Sequence, residues 1–224
     1  MKIKHLHDWD LPYNQARSIQ TSLAKRVRFK GLKDDIRTIA GLDCVFSKDN
    51  KRICTAIVVL SLADMKIIET QHASAKVTFP YIPGLLSFRE APVCIKAAEK
   101  LKTIPDVFVI DGQGIAHQRR LGLACHLGLF LDKPTIGCAK SRLIGRYEDV
   151  DLKKSSYSWL RDKDEIIGAV VRTRERVKPV FVSVGHKSLL EDAIELILAC
   201  VTKYRLPEPT RLAHQVVSKF RLRI

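Results

Sequence analysis

Two aspartates stand where a charge is hard to keep. Asp43 lies inside the β-rich run Ile36 to Phe46, and strand alternation puts it on one face with Ile39, Gly41 and Val45. An unpaired carboxylate there is costly to bury; a metal ion would offset the cost, and so would a salt bridge or a backbone-bonded turn. Asp111 follows Val107 to Ile110, four apolar residues that read as a buried strand. It therefore closes a strand at its carboxyl end, where open α/β sheets place their ligands. Glu90, before a run of helix formers, reads by itself as an acid complementing a helix start. Hard oxygen donors without paired thiolates or clustered imidazoles suit Mg²⁺ or Mn²⁺ better than Zn²⁺. The chemistry such an ion supports is phosphodiester hydrolysis, through a more acidic attacking water and a stabilised leaving oxygen.

Between the aspartates runs Pro80-Tyr81-Ile82-Pro83-Gly84-Leu85-Leu86-Ser87-Phe88-Arg89-Glu90. Proline on both sides of Tyr81-Ile82 restricts the backbone, so the pair is presented on a stiff tip suited to prying stacked bases apart; the competing reading is a buried loop plug. Gly84, Gly112 and Gly114 would let backbone approach a planar base, or would only make turns.

The elements that must carry these residues follow from periodicity and punctuation. Residues 12 to 27 read as an amphipathic helix. Ile36 to Phe46, Ile53 to Leu60 and Met65 to Val77 read as an antiparallel meander with a short turn at Ser61 to Asp64. A helix is expected over Ala91 to Leu101, with Glu90 at or just before its start, because Pro92 is tolerated only near a first turn. Asp106 to Ile110, a helix over Arg120 to Phe130 and a strand over Pro134 to Ala139 alternate as parallel units do. A second meander, Glu165 to Arg174 and Val180 to Val184, leads to a helix with Leu190, Ala193, Ile194, Ile197, Leu198 and Val201 on one face. Pro207-Glu208-Pro209 forces a break before a last helix, with Thr210 as N-cap and His214 one turn in. No internal repeat or low-complexity tract is present.

No composition shift divides the 224 residues, which read as one domain over 1–224, and 46% hydrophobic residues suffice for a packed core. A net charge of +15 and a pI near 9.7 point to an acidic partner such as nucleic acid, or to a basic solvated surface. Arg172, Arg174, Arg176 and Lys178 would form a line of positive charge if extended, either a duplex track or a guarded sheet edge. Lys25, Arg26, Arg28, Lys30 and Lys33 form another basic run. The six cysteines lack C-x-x-C spacing and read as core residues. No membrane span or signal region is expected, and a cytoplasmic setting follows as the default.

Pro80 to Glu90, Asp111-Gly112-Gln113-Gly114, Gly137-Cys138-Ala139-Lys140 and Tyr204-Arg205-Leu206-Pro207-Glu208-Pro209-Thr210-Arg211 together resemble the endonuclease V family, deoxyinosine-directed repair endonucleases, from about residue 10 to about residue 218. The resemblance implies an α/β ribonuclease H-like fold with a mixed central sheet flanked by helices. The strand meander followed by βαβ-type units matches that layout. It makes Asp43, Glu90 and Asp111 the ligands of Mg²⁺, for which Mn²⁺ can substitute. His214 would orient or deprotonate the attacking water, and Lys140 would neutralise the scissile phosphate. Pro80, Tyr81, Ile82 and Pro83 become a wedge; Gly84, Leu86, Gly112 and Gly114 a base pocket; Arg89, His117 and Arg119 phosphate contacts. The implied reaction is hydrolysis by a monomer of the second phosphodiester 3′ to deoxyinosine, leaving 3′-hydroxyl and 5′-phosphate ends. Inosine-containing RNA is the nearest alternative substrate, and a noncatalytic nucleic-acid-binding module is the alternative of another class. Dinucleotide binding fails because His117 stands where a third small residue is needed and Asp111 would repel a pyrophosphate. Gln113 and Gln118 depart from the family's histidine and proline.

Overall fold

The computed structural model describes residues 1–222. In chain order the elements are α1 (Tyr13–Ala24), β1 (Thr38–Phe46), β2 (Arg52–Ser61), β3 (Ile67–Lys76), α2 (Leu86–Glu99), β4 (Val107–Ile110), α3 (Leu123–Leu131), β5 (Thr135–Ala139), β6 (Tyr157–Asp162), β7 (Glu165–Val171), β8 (Val180–His186), α4 (Leu190–Ala199) and α5 (Glu208–Arg221). The eight strands form one sheet in the order β3-β2-β1-β4-β5-β8-β7-β6. β1, β4 and β5 run parallel, and the outer pairings are antiparallel.

Alternation along the central strands divides the core between two faces. Ala40, Leu42, Phe108 and Ile110 pack under α2 and α3, while Ile39, Val107, Val109 and Ile136 pack under α4 and α5. α3 is buried on every side, as expected of Leu-Ala-Cys-His-Leu-Gly-Leu-Phe-Leu. Gly41 lets α5 lie directly on β1, because a Cβ there would stand 1.9 Å from the Pro209 carbonyl oxygen.

Several sequence expectations need correction. α2 begins at Leu86, five residues early, so Glu90 lies inside the helix and Pro92 deep within it. A turn in which Leu85 N–H donates to Ile82 O, with Gly84 at φ +80°, starts the helix sooner. The lost Pro92 hydrogen bond is offset by burial of Phe88, Ala91, Cys94, Ile95 and Ala98. α5 starts at Glu208 with Pro207 as N-cap, and Thr210 instead donates its hydroxyl to Pro207 O. β6 has no counterpart among the sequence expectations. Residues 172–179 are not extended: Arg172 is buried with its guanidinium on the carbonyls of Val150, Asp151 and Val177, and Arg176 has φ +57°. No line of charge forms there.

Residues 1–11 have no regular structure, yet they are pinned along α2 and α3. Lys4 N–H donates to Phe130 O at 2.8 Å, its ammonium pairs with Asp132 at 3.0 Å, and Trp9 stacks on Phe130.

Gly41→Ala should lower the free energy of unfolding by about 1–3 kcal/mol, since β1 and α5 must separate to admit the methyl. Urea denaturation checks this, and an unchanged midpoint would contradict the close contact.

Candidate active site

Parallel register brings the ends of β4 and β5 beside the middle of β1. Leu42 pairs with Ile110 and Ile110 with Gly137, and Asp111 N–H donates to Leu42 O at 2.9 Å. Asp43, Asp111 and Lys140 therefore emerge side by side at one edge. α5 adds His214, whose Nδ1 donates to Asp43 Oδ2 at 2.6 Å; the other oxygen accepts Cys44 N–H at 2.8 Å. The Lys140 ammonium donates to Asp111 Oδ2. α2 brings Glu90, only 8% exposed, with no hydrogen bond to its carboxylate among the described residues.

This crowding decides the protonation of the site. Burial, then the neighbouring charges of Asp43 and Asp111, push Glu90 up to about 8. Burial and Asp111 raise Asp43 to about 6, against the pull of Lys140, His214 and the Cys44 amide. Burial works against the Lys140 charge, but Asp111, with Asp43 behind it, more than offsets this and holds its pKa above the ordinary value. As the side chains stand, no ready coordination shell exists among the described residues, because Lys140 and His214 occupy oxygens that would have to turn to a cation. The donor set still fits a hard divalent ion. Three crowded carboxylates that repel one another, Asp43 and Glu90 buried and Asp111 partly so, are stabilised by an ion that neutralises them, and all their donors are oxygens.

Beside Glu90 and Asp111 a cavity of about 180 Å³ opens toward the tip at Tyr81. Gly84, Leu86, Gly112, Gln113 and Leu143 contribute to its wall. Tyr81 is 69% exposed, so the sequence-predicted wedge is a projecting tip and not a plug. The Arg89 guanidinium lies over Phe46 and, at 6.0 Å, near Tyr81. A larger open cleft of about 850 Å³ runs along β6 between Arg146 and Lys163, but none of Asp43, Glu90 and Asp111 borders it.

Three residues expected to touch the nucleic acid are engaged within the protein. Gly114 does not line the cavity; a Cβ there would stand 2.0 Å from Val184 O, so it is glycine for packing against β8. His117 is 4% exposed and uses both ring nitrogens internally: Nε2 donates to Gly84 O, and Nδ1 accepts Arg119 N–H. Burial, then Arg119, lowers its pKa to about 4, so it is no cationic phosphate contact. Arg119 itself donates to Gly84 O at 2.7 Å.

Sequence reasoning missed Gln20, whose amide donates to Gly84 O and Leu121 O. Its spacing with Ala16 and Leu23 on the buried face of α1 was the available signal. Three donors thus converge on the Gly84 carbonyl and fix the cavity wall behind the tip. Gln113 stood out in the sequence only as a departure; its Nε2 donates to Ser141 O, and its Oε1 is buried without a partner.

Helices on both faces of this mixed sheet, with one acid inside β1 and another just past the end of the parallel β4, define a ribonuclease H-like nuclease. The family model for endonuclease V matches residues 21–215. The chain belongs to the endonuclease V family. It is 48% identical to endonuclease V of Dehalococcoides mccartyi over 214 residues, 96% of each chain. The crystal structure of the Bacillus subtilis endonuclease V superposes with a TM-score of 0.94 at 33% identity, covering 99% of this chain and 98% of that one. Ciona intestinalis endonuclease V, in complex with a 24mer DNA containing an inosine followed by a ribo-adenosine, has a TM-score of 0.81 at 29% identity, covering 94% and 98%.

The raised carboxyl values leave more protons on the folded than on the unfolded chain between the ordinary carboxylate range and about pH 8. That stabilisation is complete below the ordinary range and is lost as pH rises through about 6 and then about 8. Burial holds several histidines below their ordinary value, and these make stability rise with pH in the lower part of that range. The Glu90 contribution is therefore read above the histidine range and against a variant: from roughly pH 7 to 8 the melting temperature of the metal-free wild type should fall relative to that of Glu90→Gln, and a divalent cation should reverse the loss. Scanning fluorimetry measures both; a wild-type melting temperature that does not fall relative to the variant's would contradict the electrostatics.

Proposed function

We propose that this protein hydrolyses DNA at the second phosphodiester 3′ to deoxyinosine, leaving 3′-hydroxyl and 5′-phosphate ends, as a Mg²⁺-dependent repair endonuclease acting as a monomer. The observation that carries this reading is the shared border of two features: Glu90 and Asp111 belong both to the acidic strand-end cluster and to the wall of the cavity under the Tyr81 tip. A base drawn into the cavity lies next to the chemistry.

Asp43, Glu90 and Asp111 would hold Mg²⁺, or Mn²⁺ in its place, which when bound supplies an acidified water and a counter-charge for the leaving oxygen. Asp43 fixes the His214 imidazole through Nδ1–H, which leaves Nε2 with a lone pair to accept a proton from that water. The Lys140 ammonium sits close enough to the cluster to neutralise a phosphate oxygen. Tyr81 fills the gap left by the extruded base, with Pro80, Ile82 and Pro83 stiffening it, and Arg89 beside it meets the backbone. Gly84 and Gly112 bring backbone to the edge of the base, and the lactam edge of hypoxanthine, unlike adenine, presents N–H and C=O together. The three donors on the Gly84 carbonyl keep that wall from yielding to the wrong edge.

A second reading has its own support. The Ciona relative was crystallised on inosine followed by a ribonucleotide, so inosine-containing RNA is the alternative substrate. Six free cysteines, five of them buried, support a reducing, cytoplasmic setting. No helix among the described residues is long and apolar enough to cross a membrane.

End-labelled inosine oligonucleotides, as duplex DNA, single-stranded DNA and RNA, with Mg²⁺ or EDTA, test the reading. Metal-dependent cutting one nucleotide beyond inosine is expected; salt-sensitive binding without cutting would leave a noncatalytic module. Asp43→Ala and Asp111→Ala should each lower the rate more than about a hundredfold while retaining binding. Tyr81→Ala should reduce preference for inosine over normal bases about tenfold, and an unchanged preference would remove Tyr81 from recognition.

A further inference from the structure

We infer that Ser87 is a hydrogen-bond acceptor of fixed polarity in the base cavity, set by a relay of two imidazoles, and that it selects an extruded base presenting a ring N–H. The inference rests on the base-binding reading of the cavity.

Ser87 lies in the first turn of α2 and borders the cavity. Behind it, Ser87 Oγ is 2.9 Å from Nδ1 of His126, a side chain with no exposed surface. His126 Nε2 is 2.8 Å from His7 Nε2, and His7 Nδ1 is 2.7 Å from the backbone oxygen of Asp8. The direction of every bond follows from that last partner. A carbonyl only accepts, so His7 Nδ1 carries a proton. A neutral His7 then has a bare Nε2, so His126 must donate from Nε2. A neutral His126 in turn has a bare Nδ1, and Ser87 must donate its only proton to it. Ser87 Oγ makes no other hydrogen bond among the described residues, and what remains on it is lone pairs.

The surroundings of both imidazoles disfavour the charged form. Burial, then the facing His7, lowers His126 well below its ordinary value. Burial also lowers His7; the Asp8 carbonyl bond opposes this, and among charges His5 adds to the lowering while the Asp8 carboxylate opposes it. Trp9, Phe88 and Phe130 pack around the pair and hold the rings in place. Hypoxanthine carries N1–H where adenine carries a lone pair. An acceptor that cannot turn into a donor favours the first and repels the second, which a free serine hydroxyl would not do. The otherwise irregular segment 1–11 thereby gains a role, since it delivers His7 as the outer end of the relay.

Two measurements test this separately from catalysis. Nitrogen-15 NMR of histidine-labelled protein near neutral pH should find His126 protonated on Nε2 and His7 on Nδ1. His126 protonated on Nδ1 would make Ser87 a donor and overturn the proposal. Fluorescence anisotropy then compares single strands carrying deoxyinosine or deoxynebularine, the purine without 6-oxo group or N1–H. Wild type should prefer inosine. Ser87→Ala should weaken inosine binding about tenfold to a hundredfold and leave nebularine unchanged or tighter. His7→Phe, which keeps an aromatic ring in the nest but frees the His126 tautomer, should lower the inosine preference at unaltered melting temperature. Equal losses on both strands in Ser87→Ala, or no wild-type preference, would reduce Ser87 to packing. Failure to cut inosine strands would count against the endonuclease reading alone, because neither measurement depends on cutting.

Discussion

Mutual repulsion among three crowded carboxylates, two of them buried, is the constraint from which the rest of the site follows. Asp43 and Asp111 are fixed in adjacent positions by the parallel register of β1 and β4, and cannot separate without breaking the sheet. Glu90 is driven against them by a helix whose apolar face must pack on that sheet. Backbone pairing and core burial thus impose a charge density that a partly buried setting screens less than bulk water would. The surroundings answer it locally: Lys140 from the next strand, His214 from the helix that Gly41 allows onto β1, and protons on Glu90 and Asp43 themselves. A cation of double charge answers it better than any of these, which is why the cluster reads as a metal site even though its oxygens are otherwise engaged.

Recognition depends on the same fixing of position. The Gly84 carbonyl accepts from α1 through Gln20 and from the segment after β4 through His117 and Arg119, which ties the tip and the cavity wall to both. Under the proposed function this fixing has a use, since a pocket meant to separate hypoxanthine from adenine by the direction of a hydrogen bond would fail if its wall could rotate.

The parts legible in the sequence were those encoded locally. An aspartate inside an apolar alternating run, another closing a four-residue apolar strand, and prolines bracketing a tyrosine announce themselves within a few residues, and periodicity places the strands around them to within a few positions. What escaped depends on distant partners. Gly112 and Gly114 look alike until Val184 O is seen against one of them. His117 looks like an exposed phosphate contact until Gly84 O receives it. Pro92 argues for a late start to α2, but the turn at Gly84 and the burial of Phe88 outweigh one missing hydrogen bond. β6 is an edge strand with Leu160 as its only buried residue, too polar for periodicity to reveal. Residues 1–11 have no period at all, and their position is dictated by α2 and α3.

Whether the crowded carboxylates form a metal site is tested most directly by Mn²⁺ binding, followed by electron paramagnetic resonance near neutral pH, in the wild type and in Asp43→Asn and Glu90→Gln. The wild type should deplete the free-ion signal, and each substitution should weaken binding about tenfold or more, because each removes both a donor and part of the charge that demands the ion. Wild-type affinity retained in both variants would contradict the metal-site reading, and the crowded carboxylates would then be held by Lys140 and His214 alone.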